Sequence, residues 1–472
     1  YIAITDFSLE AGVRPSTDNK VVYNGNASSV TVTGLTAGTT YHVEIFEYNG
    51  SSGGESYLVP GLTGSQATTT NYLTVETGTV NWNTAGSWLD GAVPPAGASI
   101  VIRTNTTLDI DASVNSITIN PSTTLSSESG QSRTLTLQAS GTFTNNGTFT
   151  ANDGTVSFAG AGTIAGTTTF NHVDIAGGVD FGSSSTINGT LTINDGGFAN
   201  TNGPIYGGSS TLEFDTGLQY DISTGNLLWN TGNTVGQSVP NNILVSSTDP
   251  LNIFEARDVT GNLTINSGAS VVQGNNAFII QGNLNNSGTY SFVNNGASPL
   301  TVQGNFDNNT GANFSLSAQI GGDLIVQGNF DDSGNFISNN RAVFFTGGNA
   351  QTVNSSADPL TIDFIVIDKP SNNVQMLQNL DLPNNLEMTS GNLDLNGNTL
   401  TISGDIRPSG GSGTIIGNAS GSTIIFDNSS TARTIEAGDI QNNEISNLTF
   451  DESEGVTINT DLKVTGTFDI NA

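Results

Sequence analysis

A short unit of glycine, a polar residue and a large apolar residue recurs along most of the chain, and several copies add a second apolar residue two positions further on. Apolar and polar residues in alternation place their side chains on opposite faces of a β-strand. In the copy that begins at Gly261, we expect Leu263 and Ile265 to point into a core. Asn262 and Thr264 then face outward. The clearest copies begin at Gly141, Gly189, Gly261, Gly282, Gly304, Gly328, Gly391 and Gly466.

The spacing of these copies indicates the architecture. Gly282, Gly304 and Gly328 are 22 and 24 residues apart, which fits one coil of a parallel β-helix. A single coil cannot bury its inner face, whereas stacked coils can, with their hydrogen bonds running along the axis. The sequence therefore predicts an all-β protein that is mostly a parallel β-solenoid, with roughly 18 coils in a rod about 85 Å long.

Composition agrees with this architecture and excludes several functions. Hydrophobic residues make up 35% of the 472 residues and charged residues only 11%, with Gly, Asn, Thr and Ser dominating the rest. Those residues suit short strands joined by tight turns. The net charge of −31 argues against nucleic acid and anionic membranes as partners. The absence of cysteine excludes disulfides and thiolate zinc sites, and no apolar run is long enough to span a membrane.

The start of the chain has a different pattern. Leu35 precedes Tyr41 by six residues, which resembles the tyrosine corner of fibronectin type III domains, and residues 41–50 resemble the strand that follows it in that family. Residues 1–71 are therefore predicted to form a partial fibronectin type III-like β-sandwich whose first strands are missing, with residues 68–71 as a polar linker.

Two tryptophans mark the expected start of the solenoid. Trp82 and Trp88 precede the apolar stretch that ends at Ile102, and we expect them to plug the end of the core. Residues 72–102 are thus predicted to be the N-terminal cap or first coil, and residues 103–472 the solenoid repeats.

The C-terminus carries no comparable segment. Phe468 and Ile470 belong to an ordinary coil strand, so we expect further chain or a neighbouring subunit to cover it.

A longer module overlies the short unit and begins with an apolar residue, any residue and Phe. Together with the Trp82–Trp88 segment, these modules resemble the repeats of very large cell-surface and secreted proteins of gliding and marine Bacteroidetes. The resemblance implies an adhesin-like protein exported by type IX secretion, located outside the cell and built from β-helical and fibronectin-like modules. The triplets are Val156–Phe158, Leu212–Phe214, Val343–Phe345 and Ile424–Phe426.

Few residues suggest chemistry. Asp109 and Asp111 alternate along the chain, so they are expected to share one strand face and are the candidate calcium ligands. All three groups, namely Asp109 and Asp111, Asp331–Asp332 and Asp451–Glu454, are interpreted as solvated turn carboxylates, although they are also the candidate acid/base residues of a polysaccharide-cleaving enzyme. No catalytic residue is predicted.

The remaining candidates receive structural interpretations. His42 and His172 are expected to face solvent in separate modules. Arg257 and Arg341 are candidate cations of a lyase and are interpreted instead as forming surface hydrogen bonds. Trp229 is a candidate sugar platform and equally a candidate core residue.

These observations favour a noncatalytic extracellular rod, structural or adhesive, that is a segment of a large surface adhesin or extracellular filament. The alternative is a carbohydrate-active β-helix protein, either a polysaccharide lyase, a glycosidase or a glycan binder. A long groove with clustered carboxylates and exposed aromatic residues would favour the alternative. The expected partners are other copies or further domains of the same chain, glycans or cell surfaces. No cofactor is predicted other than calcium.

Overall fold

The computed structural model describes residues 2–5, 20–25, 29–30, 32, 40–50, 54–67, 71–293, 296–407, 412–427 and 432–471. Within these ranges the chain is all-β, and its single helix is a 3₁₀ turn at Ala85–Ser87. None of the described helices has the length and apolar character that crossing a membrane would require.

The first 67 residues contribute an antiparallel sheet. Its four strands lie in the order Lys20–Asn24, Ile2–Thr5, Thr40–Phe46 and Leu62–Ala67, and Tyr48–Asn49 pairs with Ser56–Tyr57 in a small hairpin. Phe46 is buried against Tyr48 and Tyr57. Leu35, the first residue of the tyrosine-corner motif, lies outside the described residues, as do linker residues 68–70. The fibronectin type III-like assignment therefore stays a prediction.

From Asn71 onward the chain winds into a parallel β-solenoid of about 17 coils, which confirms the predicted architecture. A complete coil has three strands, and each strand pairs in parallel with its equivalents in neighbouring coils. We number the three faces so that Phe278–Ile280 lies on face 1, Leu284–Asn286 on face 2 and Thr289–Phe292 on face 3.

The strands are distributed over these faces as follows. Face 1 contains Thr79–Asn81, Asn105–Leu108, Thr124–Ser127, Thr148–Thr150, Thr168–Phe170, Ser185–Ile187, Ile205–Tyr206, Arg257–Val259, Phe278–Ile280, Leu300–Val302, Leu324–Val326, Ala342–Phe345, Ile406–Arg407, Arg433–Ile435 and Val456–Ile458. Face 2 contains Thr155–Phe158, His172–Ile175, Thr190–Ile193, Thr211–Phe214, Asn242–Val245, Leu263–Ile265, Leu284–Asn286, Phe306–Asn308, Phe330–Asp332, Gln351–Ser355, Thr414–Gly417, Ile440–Ile445 and Lys463–Val464. Face 3 contains Asn71–Leu73, Gly162–Gly166, Gly178–Asp180, Phe198–Ala199, Tyr220–Ile222, Leu251–Ile253, Ser270–Gln273, Thr289–Phe292, Asn313–Ser315, Asn335–Ile337, Leu360–Thr361, Leu380–Leu382, Thr399–Ile402, Thr423–Asp427, Asn447–Asp451 and Phe468–Asn471. Five longer strands bend across a corner, at Ala98–Ile102, Ala112–Ile119 and Thr134–Asn145 between faces 2 and 3, and at Phe364–Met376 and Leu386–Asp394 between faces 1 and 2.

The hydrophobic core is one continuous column inside the coils. On face 2 the pairing places Ile243, Leu263, Leu284, Phe306 and Phe330 opposite one another in successive coils, and all five side chains are buried. This register follows from the alternation in each repeat unit, since a one-residue slip would turn every apolar side chain outward. The column runs from the tryptophan pair near the first coil to the last coils of the chain. Leu263, Ile265 and Ile280 all belong to it, as predicted.

The corner between faces 1 and 2 explains why the repeat unit begins with Gly-Asn. A Cβ atom on Gly304 would lie 2.3 Å from the side-chain oxygen of Asn283 and 2.5 Å from the carbonyl oxygen of Gly282, so no larger residue fits without displacement. The side-chain oxygen of each corner asparagine in turn accepts a hydrogen bond from the next coil. Such bonds join Asn262 to the amide of Asn283 at 2.8 Å, and Asn305 to the amide of Asn329 at 2.9 Å.

The first coil has a cover over its strand edge. Residues after Trp82 fold back, so that the amide of Leu89 donates to the carbonyl oxygen of Leu73 and the amide of Val75 donates to that of Ser87. The Trp88 indole packs edge-on against Trp82 and donates to its carbonyl oxygen at 2.8 Å. Both rings are buried in the same core as the coils. At the other end, Phe468 and Ile470 are 49% and 67% exposed.

The longer module does not occupy a fixed place around the solenoid. Its initial triplets are buried-out-buried strands as expected, but Val156–Phe158 and Leu212–Phe214 lie on face 2, Val343–Phe345 on face 1 and Ile424–Phe426 on face 3. The reason is that coil length varies, so a sequence period longer than one coil drifts around the axis.

Candidate binding site

Face 1 carries a column of outward side chains whose chemistry changes along the axis. The pairing aligns Ile325 with Phe344, Phe344 with Val366, Val366 with Glu387 and Glu387 with Arg407. Equivalent positions in neighbouring coils are about 4.8 Å apart, so these side chains form a strip in which an apolar stretch meets a charged one.

A depression of about 280 Å³ lies where the apolar and charged parts of this strip meet. Its apolar lining includes Phe344 and Phe364, both half-buried, and Val366, which is buried. The full lining is Asp323, Asn340, Arg341, Ala342, Phe344, Phe364, Ile365, Val366, Asn385, Glu387 and Arg407.

Local backbone structure positions Arg341 at the edge of this depression. It follows a tight turn in which Asn339 and Asn340 adopt positive φ angles of 51° and 57°, a conformation that asparagine tolerates better than most residues. The turn is held by Asp363, whose carboxylate accepts hydrogen bonds from the Ser338 hydroxyl at 2.7 Å and the Asn340 amide at 2.6 Å.

The Arg341 guanidinium has no partner among the described residues. Its Nε atom is buried without a hydrogen bond, and the side chain forms no ion pair within the ranges given above. A buried donor without an acceptor is costly, because it has lost water and gained nothing in return. Within the described residues Arg341 thus lines the depression without the surface hydrogen bond that was expected for it.

The other charged groups of the lining are only partly engaged. One oxygen of Asp323 accepts from the Ala342 amide at 3.0 Å. Arg407 lies 3.7 Å from Asp405, and both side chains are well exposed. In the part of the chain that the structure covers, the Glu387 carboxylate forms no ion pair with either lining arginine. The lining thus combines two arginines, which can donate hydrogen bonds to a ligand, with two carboxylates, which can accept them.

Asp109 and Asp111, the candidate calcium ligands, lie in a turn between Asn105–Leu108 and Ala112–Ile119 and not on a strand. Asp109 accepts a hydrogen bond from the Asn83 amide at 2.8 Å, and Asp111 accepts one from the Thr134 amide at 2.9 Å. These amides belong to opposite neighbouring coils, so each carboxylate connects its turn to a different coil. Within the described ranges no group of three or more His, Cys, Asp and Glu residues could hold a metal ion.

The candidate sugar platform is part of the interior. Trp229 is fully buried, packs edge-on against Phe278 and donates its indole N–H to the Asp258 carbonyl at 3.1 Å. Arg257 is buried beside it and donates to the carbonyl oxygens of Trp229 and Ser223, each at 3.0 Å. Burial lowers the pKa of Arg257. The expectation of a surface hydrogen bond for Arg257 is therefore wrong, because the segment between the strands Tyr220–Ile222 and Asn242–Val245 supplies its acceptors and buries it.

Two of the carboxylates interpreted as solvated turns are buried. Asp332 ends the strand Phe330–Asp332, and its carboxylate accepts a hydrogen bond of 2.6 Å from Asn308. Asn308 in turn accepts one of 2.8 Å from Asn286, so the three residues form a buried polar row across three coils. Burial raises the pKa of Asp332. Glu452 has a fully buried side chain that pairs with Arg433.

The histidines are in separate parts of the chain, as expected. His42 is exposed in the antiparallel sheet. His172 is partly buried on face 2, where its Nδ1 atom accepts a hydrogen bond from the Thr190 amide at 3.2 Å.

Of the residues that line the depression, sequence reasoning considered only Arg341 for chemistry, and it named Phe344 only as part of the Val343–Phe345 triplet. Phe344 is the residue that could have indicated the site. Its neighbours Val343 and Phe345 are buried, so Phe344 points outward, and an outward position on a strand is normally polar, not aromatic. Chemically, the depression offers ring faces, guanidinium donors and carboxylate acceptors around one small volume. Comparisons with models of protein families, with curated proteins and with solved structures found no match.

Proposed function

We propose that this chain is a noncatalytic extracellular rod, structural or adhesive, that forms a segment of a large surface adhesin or extracellular filament. The observation that supports the proposal is the continuous stack of about 17 coils around one core. At about 4.8 Å per coil, such a stack is roughly 80 Å long, which suits a part whose task is reach and display of repeated surface.

The resemblance of the modules to Bacteroidetes surface proteins supplies the location and export route within this proposal. A fibronectin type III-like module at residues 1–71 would fit the same family, and the antiparallel sheet found there is compatible with it. The net charge of −31 and the absence of cysteine suit an extracellular protein that stays soluble in salt.

The proposal is tested by the shape of the particles and by an assay for cleavage of polysaccharides. Electron microscopy of the purified chain should show stiff particles roughly 80 Å long. The same preparation should leave pectin, alginate, chitin and xylan uncleaved over extended incubation. Compact particles would contradict the rod, and cleavage that an Asp→Asn substitution abolishes would contradict the noncatalytic assignment.

Glycan binding is the second candidate function, and the depression on face 1 favours it. Its two phenylalanines and four charged side chains are the kinds of groups that contact sugars. The carboxylates of the polar row and of the Arg433 pair, by contrast, are buried and engaged.

A further inference from the structure

We propose that the depression lined by Arg341, Phe344, Phe364, Glu387 and Arg407 binds one unit of a neutral saccharide. This proposal deepens the adhesive part of the proposed function, because it assigns a ligand class to a defined place on the rod. The depression has a volume of about 280 Å³. Small-molecule sites span about 300–1,000 Å³, so a depression of this size suits one small ring.

The apolar part of the lining fits one side of a sugar ring. Phe344 and Phe364 are half-buried and lie on adjacent strands of face 1, and Val366 lies between Phe344 and Glu387. Aromatic rings are large and rigid, so they add contact area without losing much conformational freedom on binding. The C–H face of a hexose can pack against such a surface.

The charged part of the lining fits hydroxyl groups. Each hydroxyl can donate or accept hydrogen bonds, so different hydroxyls of one sugar ring can bond the Arg341 guanidinium and the Glu387 carboxylate, whose strands lie two coils apart. Arg341 contributes the strongest reason to expect a ligand, because its guanidinium lines the depression and forms no hydrogen bond or ion pair within the described residues.

Charge selects neutral sugars over acidic ones. The chain carries a net charge of −31, which repels a polyanion as it approaches. Within the depression, Asp323 and Glu387 offset the charges of Arg341 and Arg407, so no net positive site attracts a uronate or sulfate. Uncharged hexose units avoid both penalties.

The full chain should be tested on an array of neutral and acidic glycans, followed by saturation-transfer NMR with the neutral glycans that bind. We expect binding to neutral glycans, and we expect Arg341→Gln and Phe344→Ala each to weaken it by about tenfold or more. Arg133→Gln, at an arginine paired with Glu128, and Ile279→Ala, on the same outward column outside the depression, should leave binding unchanged.

Three results would overturn the proposal. They are no binding to any neutral glycan, binding restricted to acidic glycans, or variants at Arg341 and Phe344 that bind neutral glycans as tightly as the unmodified chain does. Thermal unfolding of each variant excludes misfolding as the cause of lost binding, and competition by the free sugar checks the site in the unmodified chain. A rod-shaped particle that binds no sugar would refute this site while leaving the proposed rod intact.

Discussion

The side-chain oxygen of Asn283 accepts a hydrogen bond of 2.8 Å from the backbone amide of Asn305, one coil further along the axis. Elsewhere an aspartate takes the same role, as when Asp323 accepts from the amide of Ala342. We expect Asn283→Asp to retain most of the stability, because the acceptor remains, and Asn283→Ala to lose about 0.5–1.5 kcal/mol. Chemical denaturation compares the two variants, and equal losses would show that the acceptor does not matter.

The glycine that precedes each corner asparagine should be harder to replace than the asparagine itself. Gly304→Ala places a methyl group 2.3 Å from the Asn283 side-chain oxygen, so we expect a loss of about 1–3 kcal/mol from overpacking. Gly208→Ala is the matched control, because its Cβ atom meets nothing within 4 Å. Thermal melting followed by circular dichroism should separate the two. Indistinguishable midpoints would argue against a steric reason for this glycine.

A charge in the core column should disrupt several coils. Leu263 is fully buried opposite Ile243 and Leu284, so Leu263→Asp leaves an unpaired carboxylate among apolar side chains. We expect destabilisation above about 4 kcal/mol, measured by denaturant unfolding. Thr264→Asp, the outward neighbour, should stay within about 1 kcal/mol of the parent chain. A mild effect at Leu263 would contradict the inward register.

Arg433 and Glu452 form a buried ion pair in the last coils, with 3.1 Å between Nη2 and Oε2 and side chains 2% and 0% exposed. Burial is the main reason that the pKa of Arg433 is lowered, and Glu452 opposes the shift. Glu452→Gln should cost about 3–5 kcal/mol, because it removes the paired carboxylate and leaves the buried guanidinium with hydrogen bonds to backbone carbonyl oxygens.

The exposed pair of Lys463 and Glu444 provides the comparison, since Lys463→Met should cost at most about 1 kcal/mol. Unfolding midpoints of both variants measure the difference. Similar losses for the two pairs would show that Arg433 does not depend on Glu452.

Asp332 should make stability depend on pH in a predictable direction. Burial holds its pKa above the ordinary value, so the folded chain binds this proton more tightly than the unfolded chain does. The contribution of Asp332 to stability therefore falls as the pH rises from the ordinary aspartate pKa through the raised pKa of the folded chain. Asp332→Asn keeps an acceptor for Asn308 without the charge, so we expect a higher melting temperature than the parent at pH 7. The gain should shrink as the pH is lowered to about 4, and a constant gain would contradict this origin.

The repeat unit allowed the solenoid to be predicted because strand alternation and coil length are both local properties of the sequence. Leu263, Ile265 and Ile280 could be placed in the core from their spacing alone. The position of a strand around the axis could not, because it depends on the summed lengths of all preceding coils. The triplets at Val156 and Val343 therefore looked equivalent and lie on different faces.

The burial of polar residues was the other feature that the sequence did not predict. Lys369 donates to the carbonyl oxygens of Gly347 and Asn349, which belong to the preceding coil, and Asp332 accepts from Asn308 in the same way. Such residues become buried because of partners about 20 residues away in sequence, and nothing next to them in sequence indicates it. The same is true of the depression at Arg341, whose lining comes from five successive coils.

The bonds between corner asparagines and the next coil run parallel to the long axis of the solenoid. A pull on its two ends loads these bonds one coil at a time, since each coil contacts only its neighbours. Detaching one coil of about 22 residues would lengthen the chain by roughly 70 Å. We expect single-molecule stretching to give a series of small, evenly spaced force drops, whereas a single large drop would mean that the coils fail together. A tether of this kind would dissipate a sudden load in steps and keep its remaining coils folded.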